Sequence, residues 1–238
     1  MTVKRSRKAA ASSAPTGDLE ALARAAIKRV KPGYRLGLGT GHAANAFLRV
    51  LGASGISVVG VPTGSDSERL ARSLGIKLTT LAETPVLDAD FDGADEVDPR
   101  LNLLKGFGGA LVREKIVATA SRRRIILVGV EKLVPRLGQR GSLPVEVVPF
   151  GAPIATRLIR KLGLKPRVRV DAKGVEFITD NGNLILDCAL APISNAARLE
   201  RELLAIPGVV GTGLFLGIAD TVMVAAPDGT VTAINRPR

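Results

Sequence analysis

The chain of 238 residues carries 34 Lys and Arg against 22 Asp and Glu, and 46% of its residues are hydrophobic, which is typical of a globular protein with a buried core. The sequence has one His and one Cys, which excludes an internal disulfide and a zinc site of the usual His/Cys kind. It contains no run of about 18 apolar residues, the length that a membrane-spanning helix needs. The net charge of +12 could attract either nucleic acids or anionic metabolites. Because only 3% of the residues are aromatic and none is Trp, few side chains could stack on nucleic-acid bases, and we favour anionic metabolites. We therefore expect a cytoplasmic protein without a nucleic-acid or membrane partner.

The first half of the chain alternates between predicted helices and strands. Residues 1–16 are rich in Lys, Arg, Ala, Ser and Pro, and we expect a disordered basic tail. A helix is predicted over 18–31, and helices are also predicted after the loop at 37–41, over 65–75 and over 108–121. Strands are predicted over 35–39, 56–61, 77–81, 90–92 and 125–130. This alternation predicts a Rossmann-like parallel sheet with helices on both faces.

The pattern changes after residue 132. A Gly- and Arg-rich loop over 133–143 precedes a strand over 144–149 and a helix over 152–162. Two strands at 177–179 and 184–189 flank the sequence DNGN, a strong hairpin signal, and a helix follows over 193–204. Strands at 209–215, 221–226 and 231–234 end the chain. We predict an α/β catalytic domain from residues 17–132 and 205–238, with a smaller α+β, ferredoxin-like lid domain at 133–204.

Two polar loops follow neighbouring strands. Loop 37–41 (GLGTG) lies between a strand and a helix, where backbone N–H groups and the helix N-terminus can hold an anion. Its spacing lacks the third glycine of a dinucleotide site, and no Gly-Lys-Ser/Thr follows as in a P-loop; a tight turn alone explains it equally well. Loop 63–66 (TGSD) follows the next strand. Since ligand clefts of open α/β sheets lie at such strand ends, both loops are expected to line one site.

Acidic residues cluster in segment 92–96 (DGADE), which precedes Lys105, a glycine-rich run and Glu114. Three carboxylates in five residues need cations or substrate hydroxyls nearby, and Lys105 is the obvious counter-charge. The cluster could bind a divalent metal, but acid/base chemistry on a polyol fits it equally well. Glu114 could serve as a base if it points into a cleft, although an exposed, ion-paired Glu is favoured from that residue alone. Cys188 is expected in the core.

Together these segments resemble the type A ribose-5-phosphate isomerases. The similarity covers nearly the whole chain after residue 17. It rests on seven motifs in the order typical of the family, at 37–41, 92–98 (DGADEVD), 102–111 (NLLKGFGGAL), 113–118 (REKIVA), 143–149 (LPVEVVP), 179–183 (TDNGN) and 206–210 (IPGVV).

The resemblance implies an aldose–ketose isomerase of the non-oxidative pentose phosphate pathway that interconverts ribose 5-phosphate and ribulose 5-phosphate through an enediolate. Glu114 matches the general base, and Asp92, Asp95 and Lys105 match groups that aid ring opening, with Lys105 also stabilising the oxyanion. The residues expected to bind substrate and its phosphate are Gly39, Thr40, Gly41, His42, Ser65, Asp66, Gly106, Gly108 and Lys132. The resemblance further implies no metal or organic cofactor, a phosphorylated pentose as the small-molecule partner, and a homodimer or homotetramer.

The chain departs from the family at three expected substrate contacts. The loop that commonly reads GTGSTA is GTGHAA over 39–44, Leu19 stands where an early lysine is common, and Phe107 replaces a small residue. The reaction type is thus better supported than the substrate. An isomerase of another phosphosugar, a non-catalytic sugar-phosphate sensor and a nucleic-acid-binding protein are the alternatives. A sensor has no need for both Lys105 and Glu114.

Overall fold

A computed structural model describes residues 17–237, and the predicted tail at 1–16 lies outside them. The α/β part of the chain begins with α1 (Leu19–Ile27), β1 (Arg35–Leu38), α2 (His42–Ala53), β2 (Val59–Pro62), α3 (Ser65–Ser73), β3 (Lys77–Leu78), β4 (Ala89–Gly93), β5 (Glu96–Val97), β6 (Leu103–Leu104), α4 (Leu111–Ala120) and β7 (Arg124–Gly129). The elements after β7 along the chain are β8 (Ser142–Val147), α5 (Ala152–Lys161), β9 (Lys165–Val168), β10 (Leu184–Ala189), α6 (Ala196–Leu204), β11 (Val209–Thr212), β12 (Leu214–Phe215), β13 (Thr221–Ala225) and β14 (Val231–Asn235). None of the helices within 17–237 has the length and apolar character needed to cross a bilayer.

Seven strands form the main sheet in the order β14-β13-β7-β4-β1-β2-β3, and all neighbours are parallel except β13 and β14. Alternation along β1 separates the two faces of this sheet. Leu36 and Leu38 are fully buried in the core formed with α1 and α2, whereas a β-carbon at Gly37 would meet Val117 of α4 on the opposite face. The predicted parallel sheet with helices on both faces is confirmed.

The chain reverses its direction across the sheet between β1 and β4. From β1 the order proceeds through β2 to β3 on one side, and from β4 it proceeds through β7 to β13 on the other. The loops that leave the carboxyl ends of β1 and β4 therefore diverge and leave a crevice between them, as at the ligand sites of other open α/β sheets.

The second unit has the connectivity β8-α5-β9-β10-α6-β11 and the strand order β11-β8-β10-β9, which is ferredoxin-like as predicted. Its edge strand β11 lies beyond the predicted boundary at residue 204. Strand β9 had no signal in the sequence because Pro166 interrupts it and three of its four residues are exposed. The predicted hairpin is reduced to a bridge between Ile178 and Leu184, because β10 pairs with β8 and β9 instead.

A third sheet of three short strands, β12-β6-β5, connects the two larger ones. The single strand predicted over 209–215 is wrong: it divides at Gly213 into β11 and β12, which belong to different sheets. Gly213 lies between two other segments of the chain, since its N–H donates to the Pro144 carbonyl at 2.8 Å and its carbonyl accepts from Lys105 N–H at 2.9 Å. These bonds fix the main chain of Lys105 at the end of β6.

Candidate active site

A cavity of about 630 Å³ opens where β1 and β4 end. The glycine loop after β1 and the acidic segment after β4 form two of its walls. Nine of the residues predicted for the site line it, and they are Thr40, Gly41, His42, Asp95, Lys105, Gly106, Gly108, Glu114 and Lys132. Residues from four separate stretches of the sequence are thus brought to one cleft.

Lys105 lies at the centre of a buried ion cluster. Its Nζ is 3.0 Å from Asp92 Oδ2 and 3.3 Å from Glu114 Oε2, and it donates to the Gly93 carbonyl at 2.5 Å. The side chains of Lys105, Asp92 and Glu114 are at most 6% exposed. Glu114 reaches this cluster because it lies in the first turn of α4, on the face that packs against the sheet. The exposed, surface-paired alternative for Glu114 is therefore wrong.

Burial makes Glu114 a stronger base than an ordinary carboxylate. Desolvation is the main cause, and the charge of Asp92 adds to it, while Lys105 acts in the opposite direction; together they raise the pKa of Glu114 to about 8. Burial also raises the pKa of Asp92. The attraction of Asp92 and Glu114 for the ammonium group outweighs desolvation and raises the pKa of Lys105. Lys105 therefore stays positively charged beside a carboxylate that exchanges its proton near neutral pH.

The glycine-rich run after Lys105 needs its glycines for backbone conformation. Gly106 and Gly109 have φ values of +107° and +87°, which side-chain-bearing residues rarely adopt. Asp95 fixes the loop between them, because its Oδ2 accepts the Phe107 N–H at 3.0 Å. A β-carbon at Gly109 would also lie 2.5 Å from the Phe177 ring of the ferredoxin-like unit. The run thus lies between the acidic segment and the second unit.

The loop after β1 presents a helix N-terminus to the cleft. Gly41 has φ +115° and leaves α2 without a side-chain cap, so that free N–H groups can bind an anion. Thr40 Oγ1 hydrogen bonds with Thr63 Oγ1 at 2.8 Å and donates to Ser67 Oγ at 3.2 Å. Gly39 lies behind this surface, where any β-carbon would overlap the Asp92 carboxylate.

Ser65 and Asp66 do not line the cavity, in contrast to our prediction. Helix α3 begins at Ser65 after the N-cap Gly64, which turns Asp66 to the surface, where it pairs with Arg69 at 2.8 Å. The side-chain cap of this helix comes from Ser67, whose Oγ accepts the Gly64 N–H at 3.2 Å. The polar contacts of this loop with the cleft wall come from Thr63 and Ser67 instead.

Two acidic residues at the site were missed by the sequence analysis. Asp90 is fully buried, and neither of its carboxylate oxygens has a hydrogen-bond partner in the part of the chain that the structure describes; burial raises its pKa strongly. Its spacing of two from Asp92 within a strand was the available signal. Glu131 lines the cavity and accepts the Gly17 N–H at 3.0 Å. Residues 17–237 contain no group of three or more His, Cys, Asp or Glu side chains placed to hold a metal ion.

Comparisons with known proteins agree with this geometry. Residues 59–229 match the family model described as ribose 5-phosphate isomerase A (phosphoriboisomerase A). A ribose-5-phosphate isomerase A of Roseiflexus castenholzii is 50% identical over 211 residues, which cover 87% of this chain and 90% of the relative. The structure of ribose 5-phosphate isomerase A from Methanocaldococcus jannaschii superimposes with a TM-score of 0.85 at 38% identity and covers 91% of this chain and 98% of that one. A D-ribose-5-phosphate isomerase in complex with phospho-erythronic acid gives a TM-score of 0.87 at 37% identity, over 92% and 97% of the two chains. The chain therefore belongs to the ribose 5-phosphate isomerase A family.

Proposed function

We propose a mechanism for the reaction of this enzyme, the interconversion of ribose 5-phosphate and ribulose 5-phosphate, in which Glu114 is the general base. The observation that carries the proposal is the position of the Glu114 carboxylate, which is buried at the cleft 3.3 Å from the Lys105 ammonium group. A base and a fixed positive charge at this separation can act on adjacent atoms of one substrate.

The reaction moves one hydrogen between two neighbouring carbons. After ring opening, aided by Asp92, Asp95 and Lys105, the Glu114 carboxylate takes the proton from C2 of the aldose. The electrons of the C2–H bond form the C1–C2 double bond, and the carbonyl oxygen on C1 becomes an oxyanion. The protonated Glu114 then delivers its proton to C1, while the proton of the C2 hydroxyl passes to the oxygen on C1, so that a ketone forms at C2.

Lys105 stabilises the charge that develops in this step. Its ammonium group is already held by Asp92 and the Gly93 carbonyl, so it needs no rearrangement when the oxyanion appears. Gly106 and Gly108 border the same part of the cavity and offer backbone N–H groups. A preorganised donor of this kind contributes about a hundred- to a thousandfold to the turnover number.

The phosphate group occupies the opposite end of the cavity. The open N-terminus of α2, with Gly41 and His42, offers N–H groups and partial positive charge, and Lys132 adds a full charge at the same cavity. Thr40 contributes a hydroxyl, and Gly39 permits the close approach of this loop to Asp92. His42 stands where the family commonly has a hydroxyl residue and contacts the phosphate in its place.

The assembly that we propose is a dimer or tetramer acting in the cytoplasm without a metal or organic cofactor. Apolar side chains are exposed around the turn between β8 and α5, where Phe150 is 97% exposed and Val148 and Ile154 lie beside it in sequence. Such a group of exposed apolar residues is typical of a surface that contacts another chain. Light scattering coupled to size exclusion measures the assembly, and a mass equal to that of a single chain would contradict this part of the proposal.

The test of the mechanism is Glu114→Gln, which keeps the shape of the side chain and removes the base. We expect the turnover number to fall by about a hundred- to ten-thousandfold, while phospho-erythronic acid, the compound bound by the related isomerase, still binds with an affinity within a few-fold of that of the wild type. Exchange of solvent deuterium into the product at C1 should fall with turnover.

The matched control is Glu68→Gln, because Glu68 is a partly exposed helical residue that pairs with Arg72 and lies outside the cleft. It should retain full turnover. If Glu114→Gln also retained turnover, Glu114 would not be the base.

A further inference from the structure

Arg169, which follows β9 in the ferredoxin-like unit, is held rigidly by a neighbouring carboxylate. Its Nε donates to Asp187 Oδ2 at 2.8 Å and its Nη2 donates to Asp187 Oδ1 at 2.6 Å, the two-point geometry that fixes a guanidinium in direction as well as position. The side chain of Arg169 is only 12% exposed, and its guanidinium lies 5.9 Å from the Phe177 ring centroid. These contacts also fix the position and the direction of the remaining nitrogen, Nη1.

The Nη1 group of Arg169 faces the glycine-rich run of the catalytic cleft. Arg169 Nη1 donates to the Gly106 carbonyl at 2.8 Å and to the Phe107 carbonyl at 2.9 Å. Two N–H groups of the run are used within the protein, because Phe107 donates to Asp95 and Gly109 donates to Gly106. In contrast, the Gly108 N–H has no acceptor among residues 17–237.

The planarity of the peptide bond connects these contacts to the reaction. In a trans peptide the C=O and N–H groups point in opposite directions, so a Phe107 carbonyl held against Arg169 turns the Gly108 N–H away from the guanidinium. Gly108 lines the cavity together with Lys105 and Glu114, and a β-carbon at Gly108 would meet no atom within 4 Å. The side of the peptide that Arg169 leaves free thus borders open space in the cleft.

We infer that Arg169 is a positioning residue for catalysis: its contacts with two carbonyl groups orient the Gly108 N–H toward the oxyanion of the enediolate. This inference rests on the proposed function, since it needs an oxyanion near Lys105. Lys105 supplies a positive charge next to the oxyanion. The Gly108 N–H supplies a second hydrogen-bond donor, and Arg169 of the ferredoxin-like unit sets its direction. An oxyanion donor acts only when it is held in place before the charge develops.

The experiment replaces Arg169 with Met and with Lys. Met keeps length and removes every donor. Lys keeps the charge, but one ammonium group cannot bind Asp187 and both carbonyls in the same geometry. We expect both variants to lower the turnover number about 10- to 100-fold, as for a misplaced catalytic group, with KM changed less than threefold. Affinity for phospho-erythronic acid, whose carboxylate stands in for the enediolate oxygens, should fall by a similar factor, and inhibition by inorganic phosphate should stay within twofold.

Arg167→Met is the matched control, because Arg167 lies two residues earlier, in β9, is exposed and makes no side-chain hydrogen bond or ion pair within the described residues. It should leave all four quantities unchanged. A purely structural role of Arg169 would lower phosphate affinity together with turnover, and that result, or wild-type turnover in both Arg169 variants, would overturn the inference.

Glu114→Gln measured in parallel separates the two proposals: if it loses turnover while the Arg169 variants retain it, the positioning role alone fails. Arg169→Lys retains most of the packing and carries the test if the Met variant does not fold.

Discussion

The environment of Glu114 penalises its charged form, and the same environment makes it useful as a base. A carboxylate with an ordinary pKa is fully ionised at neutral pH but is a weak proton acceptor. Burial and the charge of Asp92 raise the pKa of Glu114 to about 8, so its conjugate acid holds a proton more tightly. Because the group is then only partly ionised at neutral pH, activity becomes dependent on pH in the physiological range.

We predict that kcat/KM rises with pH as Glu114 loses its proton. The increase should approach tenfold per pH unit between pH 6 and 7 and level off above about pH 8, the pKa of the group. The raised pKa of Lys105 keeps that residue protonated throughout this range. Initial rates measured from pH 5.5 to 9.5 give the profile. Asp92→Asn should move the inflection to lower pH, since the charge of Asp92 is one of its causes. A profile that is flat above pH 6 would contradict the assignment.

At the scale of elements, the turn at 179–183 joins the ferredoxin-like unit to two helices of the α/β unit. Asp180 Oδ2 accepts the N–H of Ser65 at 2.8 Å at the start of α3. Arg113 donates to the Asp180 carbonyl at 2.5 Å and to Asn181 Oδ1 at 2.8 Å. A buried carboxylate also holds the turn in place, because the fully buried Glu146 accepts hydrogen bonds from the side chains of Thr179, Asn181 and Asn183. A carboxylate of one unit thus caps a helix of the other.

We predict that Asp180→Ala weakens this junction without unfolding either unit. Loss of a capping carboxylate costs about 1 kcal/mol, which lowers the melting temperature by about 2–4 °C in a chain of this size. Amide hydrogen exchange should increase at 65–67 in α3. Asp171→Ala is the control, because among the described residues the Asp171 carboxylate accepts only the N–H groups of Lys173 and Val175, within its own turn. Equal exchange at α3 in the two variants would show that Asp180 does not cap this helix.

Elements with strong local patterns could be predicted from the sequence, and those that depend on distant partners could not. The strand predicted over 125–130 is β7 (Arg124–Gly129), and the helix predicted after the loop at 37–41 is α2 (His42–Ala53). Strand β9 was missed because its pairing with β10 outweighs the poor strand propensity of Pro166. The division at Gly213 could not be foreseen, because it depends on contacts with Lys105 and Pro144.

The same distinction applies to the site. Lys105 was predicted from the sequence as the counter-charge of the acidic segment, whereas Glu114 taken alone favoured an exposed ion pair and was predicted as the base only through the family resemblance. Arg169 left none, since it is one of many arginines and its function depends on a peptide 62 residues away along the chain. Asp66 shows the opposite error. Its polarity suggested a ligand contact, yet in the first turn of α3 it lies on the exposed face and pairs with Arg69.

At the scale of the whole molecule, the buried acid cluster opposes folding. In the unfolded chain a glutamate ionises near the model-compound value of 4.5, whereas Glu114 in the folded chain keeps its proton until about pH 8. Between these two values the folded state holds a proton that the unfolded state has released. Stability therefore decreases as pH rises across this interval and loses nothing further from this group above it. Replacing Glu114 by a residue that does not ionise should therefore stabilise the folded protein and remove its base.

We predict that Glu114→Gln raises the melting temperature by an amount that grows with pH. At pH 4 the glutamate is neutral in the folded wild type and mostly protonated in the unfolded chain, so the two proteins should melt within about a degree of each other. By pH 8 the variant should be more stable by on the order of a few kcal/mol, since each unit of pKa shift corresponds to about 1.4 kcal/mol. Asp90 and Asp92 are present in both proteins, so their own titration largely cancels in the difference between the two melting temperatures.

Differential scanning calorimetry at intervals of half a pH unit measures this trend. The control is Glu68→Gln, at an ion pair outside the cleft, whose melting temperature relative to the wild type should not change with pH. A variant that melts below the wild type at pH 8 would mean that the contact of Glu114 with Lys105 outweighs its desolvation, and the pH profile of activity should then be displaced to lower pH as well.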